Sequence, residues 1–251
     1  MSSSSTPPKS DEAIWRERAD DEVVFWRKWI RSGGMRWKEG FQRKTDPNAP
    51  LAPLVADLLP TLDLKTGQTL EILDIGSGPL SWIGTSHPDF TVNVTAVDPL
   101  ADEYNAALDS KGVTGVGRPI KGYFETALWQ LGAGRFDVVW CANSLDHSID
   151  PIIGLYNIIN LCRTGGGVIL MFHPDEAERE EYVGLHQWNL NINNERLTLT
   201  RKGRQFDLMT MLAGQQDIRL RTLGKVGQDK SRVVVTFRKH ADCNLSELLI
   251  A

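Results

Sequence analysis

Two acids and two glycines carry the first readable chemistry of this chain. Asp74 lies near the end of the apolar run Leu70-Glu71-Ile72-Leu73-Asp74-Ile75, and Gly76-Ser77-Gly78-Pro79 follows at once. A strand that runs into a glycine turn and then a helix brings backbone close to a ligand at the carboxyl end of a parallel sheet. This turn is a poor phosphate cradle. Asp74 would set a negative charge beside a pyrophosphate, and Pro79 has no N–H to donate. Ser81 stands where a dinucleotide fingerprint has its third glycine. A cationic nucleoside without phosphate suits the turn better. The second acid, Asp98, closes Thr91-Val92-Asn93-Val94-Thr95-Ala96-Val97. It comes about two dozen residues on, near the ~20 expected of a carboxylate that holds ribose hydroxyls. Asp98 also reads as a helix N-cap, because Pro99 follows and residues 101–108 have helical composition. The two readings are compatible.

Asp74-Ile75-Gly76-Ser77-Gly78 resembles the first motif of the class I S-adenosylmethionine-dependent methyltransferases. The resemblance extends over Leu54 to Arg238. It implies S-adenosylmethionine as cofactor, whose sulfonium and ammonium are cations and which carries no phosphate. On this resemblance Asp74, Gly76, Ser77 and Gly78 meet the methionine tail, and Asp98, Pro99 and Leu100 meet ribose and adenine. Gly122-Tyr123-Phe124-Glu125 aligns with the loop after the third strand. Many relatives place an aspartate there; here Tyr123 or Phe124 is expected to pack on the adenine instead. Asn143 and Ser144, after the fourth strand, are expected near the methyl donor. Their loop is not the Asn/Asp-Pro-Pro-Tyr type of enzymes that methylate nucleobase and glutamine amide nitrogens.

Transfer to a hydroxyl also needs a proton acceptor, and histidine works near neutral pH with little tuning. His147 is the first choice by position and His186 the second, with His173 at the end of the fifth strand as a further competitor. Leu145-Asp146-His147-Ser148-Ile149-Asp150-Pro151 together with Gly184-Leu185-His186-Gln187-Trp188-Asn189 resembles a bacterial subgroup associated with glycan and natural-product tailoring. Asp146, His147, Asp150 and Asp175 are loop residues able to gather Mg²⁺. No Cys/His cluster has zinc spacing, so the metal assignment is none.

These residues need a frame. The expectation is an α/β, Rossmann-like, seven-stranded, mostly parallel sheet with an antiparallel closing strand. Apolar and β-rich runs place strands at 70–75, 92–97, 115–120, 136–141 and 166–172, with a closing pair at 217–223 and 232–238. Helices are expected near 80–87, 101–110, 125–131 and 152–163, the last ended by Gly165-Gly166-Gly167. Residues 1–10 read as a disordered Ser/Pro-rich tail and 11–60 as an N-terminal helical arm. In the arm, 11–30 forms one or two amphipathic helices ended by Gly33-Gly34, 46–53 a connector and 52–59 a further helix. Four of the eight tryptophans lie in this arm, which must bury them by core packing or by lining an acceptor pocket. Residues 61–240 form the methyltransferase domain and 241–251 a C-terminal tail. Within the domain, 175–202 is an insertion carrying a β-hairpin around Asn193-Asn194. It follows the fifth strand at the ligand end of the sheet, where it is placed to be a substrate lid with Trp188 toward the acceptor.

Composition narrows the function class. At 251 residues the chain accommodates one large α/β domain with an appendage. A net charge of -4 gives no electrostatic case for nucleic acid or an anionic membrane. No apolar run reaches the ~18 residues of a membrane span, and no apolar signal core is present. Cys141, Cys162 and Cys243 read as free buried thiols, which suits a cytoplasmic setting. The reading is a methyltransferase acting on a small-molecule acceptor, favouring a hydroxyl of a sugar or natural product. A NAD-dependent oxidoreductase and a non-catalytic cofactor-binding protein on the same fold are the alternatives. Oligomeric state leaves no mark in the sequence.

Overall fold

The computed structural model describes residues 10–115, 117–224 and 231–244. The expected tail at 1–9, residue 116, the turn of the closing pair at 225–230 and residues 245–251 lie outside them. The elements run α1 (Asp11–Ser32), α2 (Lys38–Thr45), α3 (Pro53–Leu58), β1 (Thr69–Ile75), β2 (Thr91–Asp98) and α4 (Ala101–Lys111). There follow β3 (Ile120–Lys121), α5 (Ala127–Leu131), β4 (Phe136–Ala142), α6 (Pro151–Leu161), β5 (Cys162–Phe172) and α7 (Glu176–Arg179). The chain continues with β6 (Asn189–Asn193), β7 (Arg196–Arg201), β8 (Arg204–Asp207), α8 (Met209–Leu212), β9 (Gln216–Leu223) and β10 (Arg232–Arg238).

Seven strands form one sheet in the order β3-β2-β1-β4-β5-β10-β9. Six are parallel, and β10 runs antiparallel to both β5 and β9. Strand order reverses between β1 and β4, so a crevice opens beyond their carboxyl ends. β4 is buried from Phe136 to Cys141 on both faces, as a covered sheet requires. One face packs Leu73, Val139 and Leu170 against Leu155 and Ile158 of α6. The other packs Ile72, Val138 and Ile169 against Val55 of α3 and Leu59.

The N-terminal arm begins with one continuous 22-residue helix. The Ser10 hydroxyl caps it by accepting the Ala13 N–H at 3.2 Å, and Gly33 ends it in the left-handed region at φ 69°. Trp15, Ala19, Val23, Trp29 and Ile30 lie buried along one stripe. That stripe packs on Leu100, Tyr104 and Leu108 of the α4 region.

Four sequence expectations change. No helix forms over 80–87. Ile83 O accepts the Ala52 N–H at 2.6 Å, Ser86 O accepts the Leu51 N–H, and Ala49 O accepts those of Thr85 and Ser86. The segment bonds to the connector instead of to itself, and α1 covers it, with Leu80 seated against Trp29 and Ile30. The third strand is only Ile120–Lys121, because Gly115 and Gly117 take positive φ and Pro119 lacks a donor. Gly165-Gly166-Gly167 lies inside β5, where the β4–β5 register shifts, and α6 already ends at Leu161. The insertion is a three-stranded sheet, β6-β7-β8, turning at Asn194-Glu195. Both turn residues have positive φ, as a two-residue hairpin turn demands.

The three cysteines are buried thiols outside any disulfide. Among the described residues no helix is long and apolar enough to cross a membrane.

Candidate active site

A cavity of about 1080 Å³ opens at the carboxyl ends of β1, β2 and β4. Asp74, Gly76, Ser77, Gly78, Asp98 and Pro99 line it, and so do Leu100, Tyr123, Phe124, Asn143, Ser144 and His147. The cofactor residues expected from sequence therefore share one wall.

The glycine turn is held by backbone. Gly76 and Ser77 both donate to Val97 O, at 2.8 and 3.1 Å. Gly76 sits at φ 71°, and a Cβ there would collide with the Ser144 side chain and stand 3.0 Å from Phe124 Cζ. Gly78 sits at φ 66° and donates to Asp98 Oδ2 at 2.9 Å. Asp98 Oδ1 accepts the Leu100 N–H at 2.9 Å, which closes a turn at the strand end; the cap of α4 is Leu100, with no side-chain cap bond, so Asp98 is not the helix N-cap. Asp74 is 2% exposed and accepts the Ser81 hydroxyl at 2.6 Å. Burial pushes the Asp74 carboxyl up to about 6 and, with Asp98 only 7% exposed, the Asp98 carboxyl up to about 7. Two desolvated acids thus face one cavity wall without enough positive charge to hold them ionised.

Lys44 is the cation that sequence reasoning missed. It lines the cavity, donates to Leu80 O at 2.6 Å and lies over the rings of Trp26 and Trp29. Burial lowers its ammonium to about 8 against the opposing pull of Asp74 and Asp98. No motif marks it; only the fold of the arm over the glycine turn brings it there. Trp15, Trp26, Trp29 and Trp37 all line the cavity too; Trp15 and Trp29 are buried in the core, Trp26 is half-buried, and Trp37 stays exposed, so the arm does not bury all four as expected. Tyr123 meets Trp15 edge-on at 5.6 Å, whereas Phe124 lines the cavity from within the main core. Asn143 adopts φ 51° at the end of β4, and its buried Oδ1 has no partner.

The expected histidines come together. His147 Nε2 stands 3.0 Å from His186 Nδ1, which stands 3.0 Å from Asp146 Oδ2. His147 Nε2 to Asp146 Oδ2 is 3.4 Å. Of the two histidines only His147 lines the cavity, and Trp15 Nε1 donates to its carbonyl at 2.7 Å. Burial works to raise the Asp146 carboxyl, but His147 and His186 outweigh it and hold it low. His186 is raised despite burial, because it bonds Asp146. Glu176 is pushed up to about 7 by burial and the Asp146 charge. Asp150 instead caps α6, and Asp175 accepts from Asn191. Neither joins the cluster, contrary to the grouping expected for Mg²⁺. His173 lines the cavity and contacts Ser231 O at 3.0 Å.

The hairpin itself does not line the cavity. From 175–202 only Leu185 does so, while Trp188 packs on Phe206 under Arg201. Leu190, Leu197 and Leu199 belong to the main core.

No family model matches the chain, and no curated protein matches it. Solved structures do. A chain of the complex between the Haloferax volcanii Trm112 methyltransferase activator and a methyltransferase aligns at TM-score 0.50 and 11% identity, covering 94% of this chain and 100% of that one. Haemonchus contortus phosphoethanolamine N-methyltransferase 2 with S-adenosyl-L-methionine aligns at TM-score 0.53 and 18% identity, over 94% of this chain. The same enzyme with phosphomonomethylethanolamine and S-adenosylhomocysteine gives TM-score 0.53 at 16% identity. This chain spans 61% of the length of the Haemonchus enzyme. Identities this low speak for architecture alone, and the architecture is that of the class I S-adenosylmethionine-dependent methyltransferases.

Proposed function

We propose that this protein transfers a methyl group from S-adenosylmethionine to a small-molecule acceptor. The observation that carries the reading is the pair of buried acids, Asp74 and Asp98, beside a left-handed glycine turn that no helix follows. A dinucleotide site rests its pyrophosphate on the helix N-terminus after the turn. That helix is missing here, Pro79 donates nothing, and two carboxyls face one lysine. A cationic ligand suits this charge balance and a pyrophosphate does not.

In this reading Asp74 meets the ammonium, Lys44 the carboxylate of the methionine part, and Asp98 the ribose hydroxyls. Tyr123 and Leu100 flank the adenine, and Asn143 Oδ1 gains the partner it lacks. The cavity exceeds the roughly 300–1,000 Å³ of single-ligand sites, which favours two occupants. The acceptor takes the part walled by the arm's tryptophans, Leu185 and His173. The Asp146–His147–His186 cluster handles the acceptor's proton, which favours a hydroxyl of a sugar or natural product as nucleophile. Buried thiols outside any disulfide are compatible with a cytoplasmic setting.

Calorimetric titration with S-adenosylhomocysteine and with NADH separates the classes. Micromolar binding of the first and none of the second is expected; the reverse overturns the reading. If S-adenosylhomocysteine binds but no methyl moves from S-adenosylmethionine to any hydroxylated acceptor in a panel, the protein is a binder on this fold.

A further inference from the structure

We infer that Asp146, His147 and His186 form a binding site for one divalent first-row transition-metal ion. Asp146 and His147 lie in the short turn Leu145–His147 after β4, and His186 comes from the insertion after β5. Their donor atoms, Oδ2, Nε2 and Nδ1, form a closed triangle with sides of 3.0, 3.0 and 3.4 Å.

Protons alone do not account for that triangle. Each imidazole nitrogen carries either a hydrogen or a lone pair in the ring plane. If only His186 Nδ1 is protonated, the lone pairs of His147 Nε2 and Asp146 Oδ2 face each other. If only His147 Nε2 is protonated, Nδ1 and Oδ2 oppose each other at 3.0 Å. With both protonated, two N–H groups meet at 3.0 Å. With Asp146 ionised, as its two histidine neighbours hold it, each of these states leaves one side of the triangle repulsive. A cation at its centre turns all three lone pairs inward on one charge.

The dimensions choose the ion. A metal ~2.0–2.1 Å from each donor sits about 1 Å out of the plane of this triangle. The donor separations fall between those of tetrahedral and octahedral ligands at that bond length. Calcium, at ~2.3–2.6 Å with oxygen ligands, is too large, and magnesium prefers an all-oxygen shell. Two imidazoles and one carboxylate suit zinc, manganese, iron(II) or cobalt, and they leave coordination positions open.

A second observation points the same way. Asp146 is 2% exposed, and its Oδ1 has no hydrogen-bond partner. A buried carboxylate with one empty oxygen is costly unless a cation lies against it. The sequence expectation of no metal did not include His186 in a cluster: it is 39 residues from His147, and only the insertion folds it back.

The site adjoins the proposed acceptor space through His147 and revises the proton route of the reading above: with an ion bound, His147 Nε2 would be a ligand and not a base, and the acceptor's proton would pass to a water held by the ion. Its test needs neither cofactor nor acceptor, so either idea can fail alone. The full chain is stripped with a chelator, dialysed and titrated with Co²⁺, following visible absorption and calorimetric heat. One ion per chain with the bands of imidazole-ligated cobalt is expected, displaced by equimolar Zn²⁺. His186→Ala and Asp146→Asn should each weaken binding by more than the ~10–100-fold typical of outer-shell losses. His87→Ala, in the loop that leads into the amino end of β2 and away from the cluster, should bind as the parent does. Where a variant unfolds, Zn²⁺ should still raise the melting temperature of the parent chain. No cobalt bands and no zinc-induced stabilisation in the parent, or undiminished binding in a folded His186→Ala, overturns the site and leaves a hydrogen-bonded proton relay.

Discussion

Asp98→Asn tests the acid pair most directly. Burial holds the folded carboxyl at about 7, against 3.8 for an ordinary aspartate. An acid raised in this way binds more protons folded than unfolded. Its contribution to stability is full below about pH 4 and is lost as pH rises through about 7. At roughly 1.4 kcal/mol per pH unit, the loss by about pH 8 amounts to ~4 kcal/mol. Asparagine keeps the shape and one acceptor oxygen. Of the N–H bonds from Gly78 and Leu100 one survives, and losing the other costs about 1 kcal/mol. Without ligand, the variant should therefore exceed the parent by about 2–3 kcal/mol near pH 8 and match it within ~1 kcal/mol near pH 5. Urea unfolding followed by tryptophan fluorescence reads both values. Affinity for S-adenosylhomocysteine should fall by about 1–3 kcal/mol as the ribose loses its acceptor. A variant less stable than the parent by the same amount at both pH values refutes the uncompensated charge. An unchanged affinity removes the ribose role.

Three further outcomes are expected. Gly76→Ala should destabilise by about 2–4 kcal/mol, from its φ of 71° and the collision with Ser144, and Ser144→Gly should restore only the collision's share; equal loss in both backgrounds would disprove the contact. Excising residues 187–201 should unfold the chain, since Leu190, Leu197 and Leu199 leave the main core with the hairpin; a cooperative melt with intact S-adenosylhomocysteine binding would show the hairpin to be separable. His147→Ala should lower single-turnover methyl transfer by about 10²–10⁴-fold with cofactor affinity nearly intact; a full rate removes His147 from the chemistry.

The parts of the fold legible in the sequence are those governed by short-range pattern. Val138-Val139-Trp140 and Ile169-Leu170 announce covered strands because both faces are apolar, and Gly76 and Gly78 announce positive φ at a strand end. The missing helix at 80–87 was illegible because Ala49, Leu51 and Ala52 compete for its backbone groups from some thirty residues upstream. β8 escaped notice because Arg204-Gln205-Phe206-Asp207 is polar and half-exposed. In the site, Asp74 and Asp98 follow from spacing, whereas Lys44 and the meeting of His186 with Asp146 depend on long-range docking. Trp188 seemed a lid residue from its position after β5, but the strands beneath it turn it toward Phe206.

The arm over the glycine turn also has a history in time. Residues 11–45 leave the ribosome before Leu100, Tyr104 and Leu108, on which α1 rests. At about 5–20 residues per second, Trp15, Trp26 and Trp29 wait some 3–13 seconds between the end of α2 and the end of α4. During that interval a tryptophan-bearing helix has no sheet to cover, and its stripe is open to chaperones or to other nascent chains. A segment made before its partners thus docks after them, and the cavity wall is complete only when it does.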